Sequence, residues 1–407
     1  GRYETPFRLD GLGIKTSSAR LQSVNNTSPE DNMALFIGLM SGTSLDGVDG
    51  ILASFPDHYE GGRVEILSAA SVPFDLSFRK QLMELQAPGE NEIEREALAA
   101  NRLAVLYAEN VKELTRKSGI SHSEIQAIGV HGQTIRHRPD LGFTRQTNNP
   151  ALLAELTGID VIADFRSRDI AAGGQGAPLV PAFHLAVFGD KNVPRAVINI
   201  GGIANISLLK PDSSVSGFDT GPGNMLLDAW IQSRRNQPYD TDGAWGKSGR
   251  YSDKLLKIML AEPFFGKLPP KSTGRDLFNL EWLHEKLFQT FMSELPDPAD
   301  VQATLTMLTA TSIVNAIRDH APGIRQAYVC GGGAKNGFLM ALLKQMLENG
   351  DIHAELSTSH ALGIDPMHVE SLAFAWLAYR FVANEPGNLP AVTGAQGFRI
   401  LGARYPA

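Results

Sequence analysis

Ile37-Gly38-Leu39-Met40-Ser41-Gly42-Thr43-Ser44-Leu45-Asp46-Gly47-Val48-Asp49 reads as strand, small-residue turn, strand. Val197-Ile198-Asn199-Ile200-Gly201-Gly202-Ile203-Ala204-Asn205-Ile206-Ser207 repeats that reading in the second half. Two halves, each opening on a glycine-bearing hairpin, suggest duplicated α/β domains facing one cleft. Glycine-rich β-turns are common, so coincidence stays open on the echo alone. A hinge is expected near Phe188–Pro194, which divides the chain into lobes 33–190 and 191–407.

Outward from the hairpins, strands and helices alternate, the pattern of layered α/β folds. Residues 91–118 carry Ile93, Ala97, Ala100, Ala104, Tyr107, Val111 and Leu114 at helical spacing. Gly119 ends that helix as a C-cap. Ile125–Val130 and Asp160–Ala163 read as buried strands, with a short helix Ala151–Leu156 between them. Later helices are expected at 301–319, 337–349 and, strongly apolar, 367–382. The final helix is placed against the first lobe.

The chain has 407 residues and a single cysteine, Cys330. One thiol excludes a disulfide framework and a thiolate zinc cage. It suits a reducing, cytoplasmic setting. A net charge of −7 argues against nucleic acid as the main partner. No apolar run is long enough for a transmembrane helix, so no membrane partner is expected. Residues 1–32 are polar and lack the apolar core of a secretory signal. They read as an appended tail or a disordered extension, with Met33 a plausible natural start.

Four clusters could carry chemistry. In the first turn, Gly42 and Gly47 let backbone N–H groups approach a phosphate, and Thr43 and Ser44 add hydroxyls. Asp46 or Asp49 could hold a magnesium ion there. In Gly217-Phe218-Asp219-Thr220-Gly221-Pro222-Gly223-Asn224, Asp219 is placed in a turn before helix Met225–Gln232. The helix field would keep it ionised as a general base, or Asp219 simply caps the turn. Asp164, Arg166, Arg168 and Asp169 follow a buried strand, where α/β folds bind ligands. Gln133, Thr134 and Arg136 follow another. His122, His131 and His137 lack the spacing of a metal site. Cys330-Gly331-Gly332-Gly333-Ala334-Lys335-Asn336 lies between a strand and a helix, a nucleotide-binding arrangement. Asn336 breaks the dinucleotide fingerprint there. Gly243-Ala244-Trp245-Gly246-Lys247-Ser248 falls short of a phosphate loop, because Thr241 stands where glycine is required, and it reads as a loop.

Taken in order, these pieces resemble the anhydro-N-acetylmuramic acid kinases, of the sugar kinase, actin and heat-shock chaperone superfamily. The resemblance runs through MSGTSLDGVD at 40–49, GVHGQTIRHRP at 129–139, the run from Asn149 to His184, NIGGIANIS at 199–207 and GFDTGPGNMLLDAW at 217–230. It continues through STGRDLFNL at 272–280, CGGGAKN at 330–336 and NLPAVTGA at 388–395. It implies two actin-like, ribonuclease-H-like lobes around a central nucleotide cleft. It implies a bacterial, cytoplasmic enzyme of peptidoglycan recycling that uses ATP and Mg2+. The enzyme would open the 1,6-anhydro bond of 1,6-anhydro-N-acetylmuramic acid and phosphorylate O6.

By the same resemblance Asp219 is the base, with Asp164 its rival. Gly42, Thr43, Ser44, Leu45, Asp46, Gly47, Val48 and Asp49 would hold the ATP phosphates, with Gly201 and Gly202 as a second phosphate hairpin. Gly331, Gly332, Gly333 and Asn336 would border the nucleoside. Thr134, Arg168, Gln175 and Glu370 would contact the sugar. The metal ligands and a homodimer are left open. Two other readings remain: a non-catalytic ATP clamp or a different ATP-dependent sugar or carboxylate kinase of this superfamily, and a nicotinamide-linked oxidoreductase resting on Gly331–Gly333.

Overall fold

A computed structural model describes residues 33–42, 45–56, 64–275, 277–292 and 294–407. The tail expected over 1–32 lies outside the described residues, as do Thr43 and Ser44. Met33–Ala407 forms one compact unit.

The strands are β1 (Met33–Met40), β2 (Gly47–Pro56), β3 (Glu65–Pro73), β4 (Ile125–Val130), β5 (Gln133–Arg138), β6 (Phe143–Thr147) and β7 (Val161–Ala163). They continue as β8 (Arg195–Ile200), β9 (Ile203–Leu209), β10 (Val215–Pro222), β11 (Gln326–Cys330), β12 (Glu355–Thr358) and β13 (Ala403–Tyr405). One large sheet has the order β13-β7-β4-β1-β2-β3, the other β10-β9-β8-β11-β12, and β5 and β6 pair as a separate two-stranded sheet. In both, three antiparallel strands are followed by two parallel to the first. The two quoted hairpins are the equivalent first and second strands of these sheets. The echo in sequence is therefore a repeat of topology.

Each sheet is covered on both faces, and the apolar runs explain why. β1 and β4 are buried on both sides. The helix Glu92–Ser118 covers one face with Leu103, Tyr107, Val111 and Leu114. Its end at Gly119, in left-handed conformation, matches the expected C-cap. The helix Val369–Val382 covers the other face with Leu372, Phe374 and Ala375. It can lie so close because Gly38 and Gly129 have no Cβ. A methyl group at either would run into the helix backbone at Ser371 or Phe374. In the second sheet, Ile313, Ile317, Leu339 and Leu343 from helices Pro298–His320 and Gly337–Glu348 pack on β8 and β11. Each such fully buried side chain contributes about 1.5–3 kcal/mol of transfer free energy.

The chain passes from the first sheet to the second between Phe188 and Arg195 and returns before Val369. β13 completes the return by pairing with β7. The apolar helix expected at 367–382 begins at Val369, two residues after the sequence pattern suggested. The loop expected at 243–248 is a further difference: residues 244–248 are helical. Asp240 is the reason. Its two carboxylate oxygens accept from Trp245 N at 2.9 Å and Gly246 N at 2.8 Å, which caps a turn that hydropathy alone does not reveal.

Candidate active site

Three glycine turns meet where β8, β10 and β11 end. Gly201 O accepts from Asn224 N at 2.8 Å, and Gly202 O from Gly223 N at 2.9 Å and Met225 N at 3.1 Å. Asn224 also donates its side-chain amide to Ile200 O at 3.3 Å. Gly331 has φ of 81°, and a Cβ there would strike Asn199 and Ile200. Asn336 is buried and caps the next helix, accepting from Leu339 N at 3.0 Å. The side chain of Asn336 is therefore committed to the helix.

The first turn is tied down by the β5–β6 hairpin. Ser41 Oγ donates to Gln133 Oε1 at 2.7 Å, and Gln133 Nε2 donates to Gly42 O at 3.2 Å. Leu45 and Val48 bury their side chains in the core, so only their backbone faces outward. Asp46 is exposed and pairs with Arg79 at 3.8 Å. Its charge reaches Asp228, on the helix Met225–Arg235 after the second turn. Burial, and then the Asp46 charge, push Asp228 up from 3.8 to about 7. Asp49 differs: its Oδ1 accepts from Ser71 Oγ at 2.5 Å and its backbone oxygen from Ser371 Oγ at 3.1 Å. It lines a cleft of about 290 Å3 with Ser71, Lys335 and His368.

Asp219 lies on β10, not in a turn. The segment before Arg275 runs alongside it. Asp219 N donates to Lys271 O at 3.1 Å, and Thr273 N donates to Asp219 Oδ2 at 3.0 Å. Burial raises the carboxyl from 3.8 to about 6, against the opposing Thr273 N–H and the Lys271 charge. The expected helix field does not set its ionisation; desolvation dominates. Asp164 is exposed and left-handed, and its Oδ1 accepts from Ser167 Oγ at 2.6 Å.

Glu370 opens the helix Val369–Val382 and accepts from Asn199 Nδ2 at 3.2 Å. Burial raises its carboxyl, and Asp49 adds to that while Arg166 opposes it. Arg166 is oriented by neighbours. It donates to Gly176 O at 2.8 Å and to His131 Nε2 at 2.9 Å, while His131 Nδ1 lies 2.8 Å from Gly132 O. Burial holds His131 well below its usual value, so the ring is neutral, with its proton on Nδ1 and its Nε2 accepting.

Gln175 and Arg168 are exposed, and the loop carrying Gln175 is braced from beneath. Asp169, fully buried, accepts from Gly176 N, Asn388 Nδ2 and Thr393 Oγ1, each at 2.8 Å. Gln175 N donates to Thr393 O at 2.8 Å. The short helix Pro390–Thr393 packs on β10, the strand of Asp219. Thr134 sits apart on the β5–β6 hairpin, its hydroxyl accepting from Gln146 at 3.2 Å. Sequence reading gave no role to Asn199, Asp228 or Thr273. All three stand inside quoted motifs, but nothing in residue type distinguishes them there.

Two sheets of one topology, joined by two crossings and lined by glycine turns, define a two-lobed α/β protein of the actin-like, ribonuclease-H-like type. The chain belongs to the anhydro-N-acetylmuramic acid kinase family, whose profile matches residues 34–407. It is 55% identical over 374 residues to the anhydro-N-acetylmuramic acid kinase of Burkholderia orbicola (strain MC0-3), covering 91% of this chain and 96% of that one. It is also 55% identical over 373 residues to that of Paraburkholderia xenovorans (strain LB400), covering 91% and 98%. Among solved structures, a ROK family glucokinase from Streptomyces griseus aligns over 84% of this chain and 99% of its own, with 12% identity and a TM-score of 0.38. That likeness is too loose to assign anything. Among the described residues no helix is long and apolar enough to cross a membrane.

Proposed function

We propose that this chain is an ATP-dependent kinase that opens the 1,6-anhydro bond of 1,6-anhydro-N-acetylmuramic acid with water and phosphorylates O6. The product is N-acetylmuramic acid 6-phosphate, as peptidoglycan recycling in a bacterial cytoplasm requires. Lobes 33–190 and 191–407, less the returning segment from Val369, would close over the nucleotide and exclude competing water.

Family membership supports the reading, and one observation carries the mechanism. Asp219 is a desolvated carboxylate held at one oxygen by Thr273 N–H, with a pKa of about 6. Near neutral pH it is ionised yet basic enough to take a proton. Water attacks the anomeric carbon and gives its proton to Asp219. The bond to O6 breaks, and its electron pair stays on O6. O6 then attacks the γ-phosphorus, and ADP leaves with the bridging electrons. One carboxylate thus serves both halves of the reaction.

Backbone at Gly42–Gly47 and Gly201–Gly202 would hold the phosphates, and Gly331–Gly333 the nucleoside. Glu370, Arg168, Gln175 and Thr134 would contact the sugar. The carboxylates of Asp46 and Asp228 would take Mg2+: both are hard oxygen donors whose charges act on each other, with Arg79 and Arg275 the cations already beside them. Bound there, the ion would supply charge neutralisation to the phosphates. Asp49 fits less well, with one oxygen already taken by Ser71.

The decisive experiment incubates the protein with ATP, magnesium and the anhydro sugar and weighs the product. A gain of both water and a phosphoryl group supports the reading. A phosphorylated sugar that keeps its anhydro bridge, or no product, refutes it.

A further inference from the structure

The segment Lys271-Ser272-Thr273-Gly274-Arg275 belongs to a motif that the reading above leaves without a task. It embraces Asp219 from both sides of the residue. Lys271 O takes the Asp219 N–H at 3.1 Å, and Thr273 N gives its hydrogen to Asp219 Oδ2 at 3.0 Å. These two bonds lock residue 273 beside the carboxylate. Its side-chain oxygen is then anomalous. Thr273 Oγ1 is sealed from solvent and has no hydrogen-bond partner among the described residues. A buried hydroxyl without a partner is destabilising, because it loses its bonds to water and gains none in return. The threonines buried in the neighbouring helix Pro298–His320 show the contrast. Thr304, Thr306 and Thr309 each donate to a backbone oxygen within 3.1 Å.

We infer that Thr273 is a further catalytic residue, whose hydroxyl donates to the sugar oxygen that leaves the anomeric carbon and receives the phosphoryl group. This rests on the proposed function. As the C1–O6 bond breaks, negative charge gathers on O6 before phosphorus takes it up. A fixed donor in a dry site stabilises that charge without reorganising. Division of labour follows within one residue. The Thr273 backbone N–H fixes Asp219 Oδ2 and leaves Oδ1 for the attacking water. The Thr273 hydroxyl serves the opposite end of the displacement, and its own O–H bond stays intact throughout.

The test compares wild type, Thr273→Val, Thr273→Ala and Thr273→Ser by steady-state kinetics across pH, with thermal melting of each. Val keeps the shape and the backbone N–H, and Ala gives the same reading should Val not fold. Val or Ala is expected to lose roughly 10²-fold in kcat, the size of one lost oxyanion donor. The KM for ATP and the pH limb of Asp219 should stay in place, and Ser should recover most of the rate. A Val or Ala rate within about threefold of wild type overturns the inference. So does a Ser variant as slow as Val, or a loss accompanied by a displaced pH limb, since each marks Thr273 as structural support for Asp219. Wild type that fails to turn over the anhydro sugar refutes the proposed function itself, and this inference with it.

Discussion

Asn199 on β8 of the second sheet donates its side-chain amide to Glu370 on the helix that packs against the first sheet, at 3.2 Å. The bond crosses between the two halves of the molecule beside their second chain crossing. Asn199 Oδ1 also accepts from the buried Cys330 thiol at 3.8 Å. Both ends of the amide are thus engaged. Asn199→Ala should remove the donor and leave a half-buried carboxylate short of a partner, at a cost of about 1.5–3 kcal/mol. Urea unfolding measures it. Unchanged stability would show that water replaces the amide freely.

Asp219→Asn should cut kcat roughly 10²–10⁴-fold while sparing nucleotide binding, because it removes the proton acceptor and keeps the shape. Asn can still accept the Thr273 N–H through its side-chain oxygen, so the fold around it should hold. In the wild type, kcat/KM should rise with pH through about 6, where Asp219 loses its proton. Nucleotide binding by calorimetry and single-turnover rates separate the two effects. Retained turnover would transfer the base role elsewhere, with Asp164 the first alternative.

The duplication was legible in residues 37–49 and 197–207 because a hairpin is local, and its turn residues announce it. The helix at 92–118 was legible for the same reason, through its apolar spacing. What escaped was set by distant partners. Asp219 was read in a turn because glycine and proline surround it, yet pairing with β9 extends the strand through Pro222. Its ionisation was assigned to a helix field, whereas burial by a segment about 50 residues later decides it. The helix 244–248 depends on a carboxylate that lies outside the quoted stretch. Sequence spacing carries no information on such contacts.

The Asp169 brace makes a prediction about a loop it does not belong to. Thr393→Val removes one of three donors to a fully buried carboxylate. The lost bond to a charged acceptor should cost about 1.5–3 kcal/mol of stability. The damage should spread locally, because Thr393 O also holds the Gln175 amide. Hydrogen exchange at Gln175 and its neighbours should accelerate, and the KM for the sugar should rise more than that for ATP. Equal rises in both would detach the brace from substrate recognition.

Gly38 is the tightest point between the first sheet and the helix Val369–Val382. Gly38→Ala should drive a methyl group against Ser371 backbone, displacing the helix that carries Glu370. Overpacking of this kind costs about 1–3 kcal/mol. Denaturation midpoints read the loss. A neutral effect would mean that the helix can shift without penalty.

Asp219 should also set a trade between activity and stability, and the sign follows from its pKa. Burial raises the carboxyl from 3.8 to about 6, so the folded state holds its proton more tightly than the unfolded chain. Between those two pH values the native protein binds more protons, and stability falls as pH rises through that window. Below the window both states are protonated and the site costs nothing. Above it both are ionised, and the fold carries the full desolvation cost of the charge. Asn cannot ionise, so Asp219→Asn should match wild type near pH 4 and exceed it at pH 8. Partial solvent access trims the expected gain to roughly 1–2 kcal/mol. Thermal melting at the two pH values measures the difference. Equal stability at both would mean that the Lys271 charge and the Thr273 N–H already compensate the buried carboxylate. The apparent pKa in the activity profile would then fall toward the ordinary carboxylate range, because the same desolvation governs both measurements.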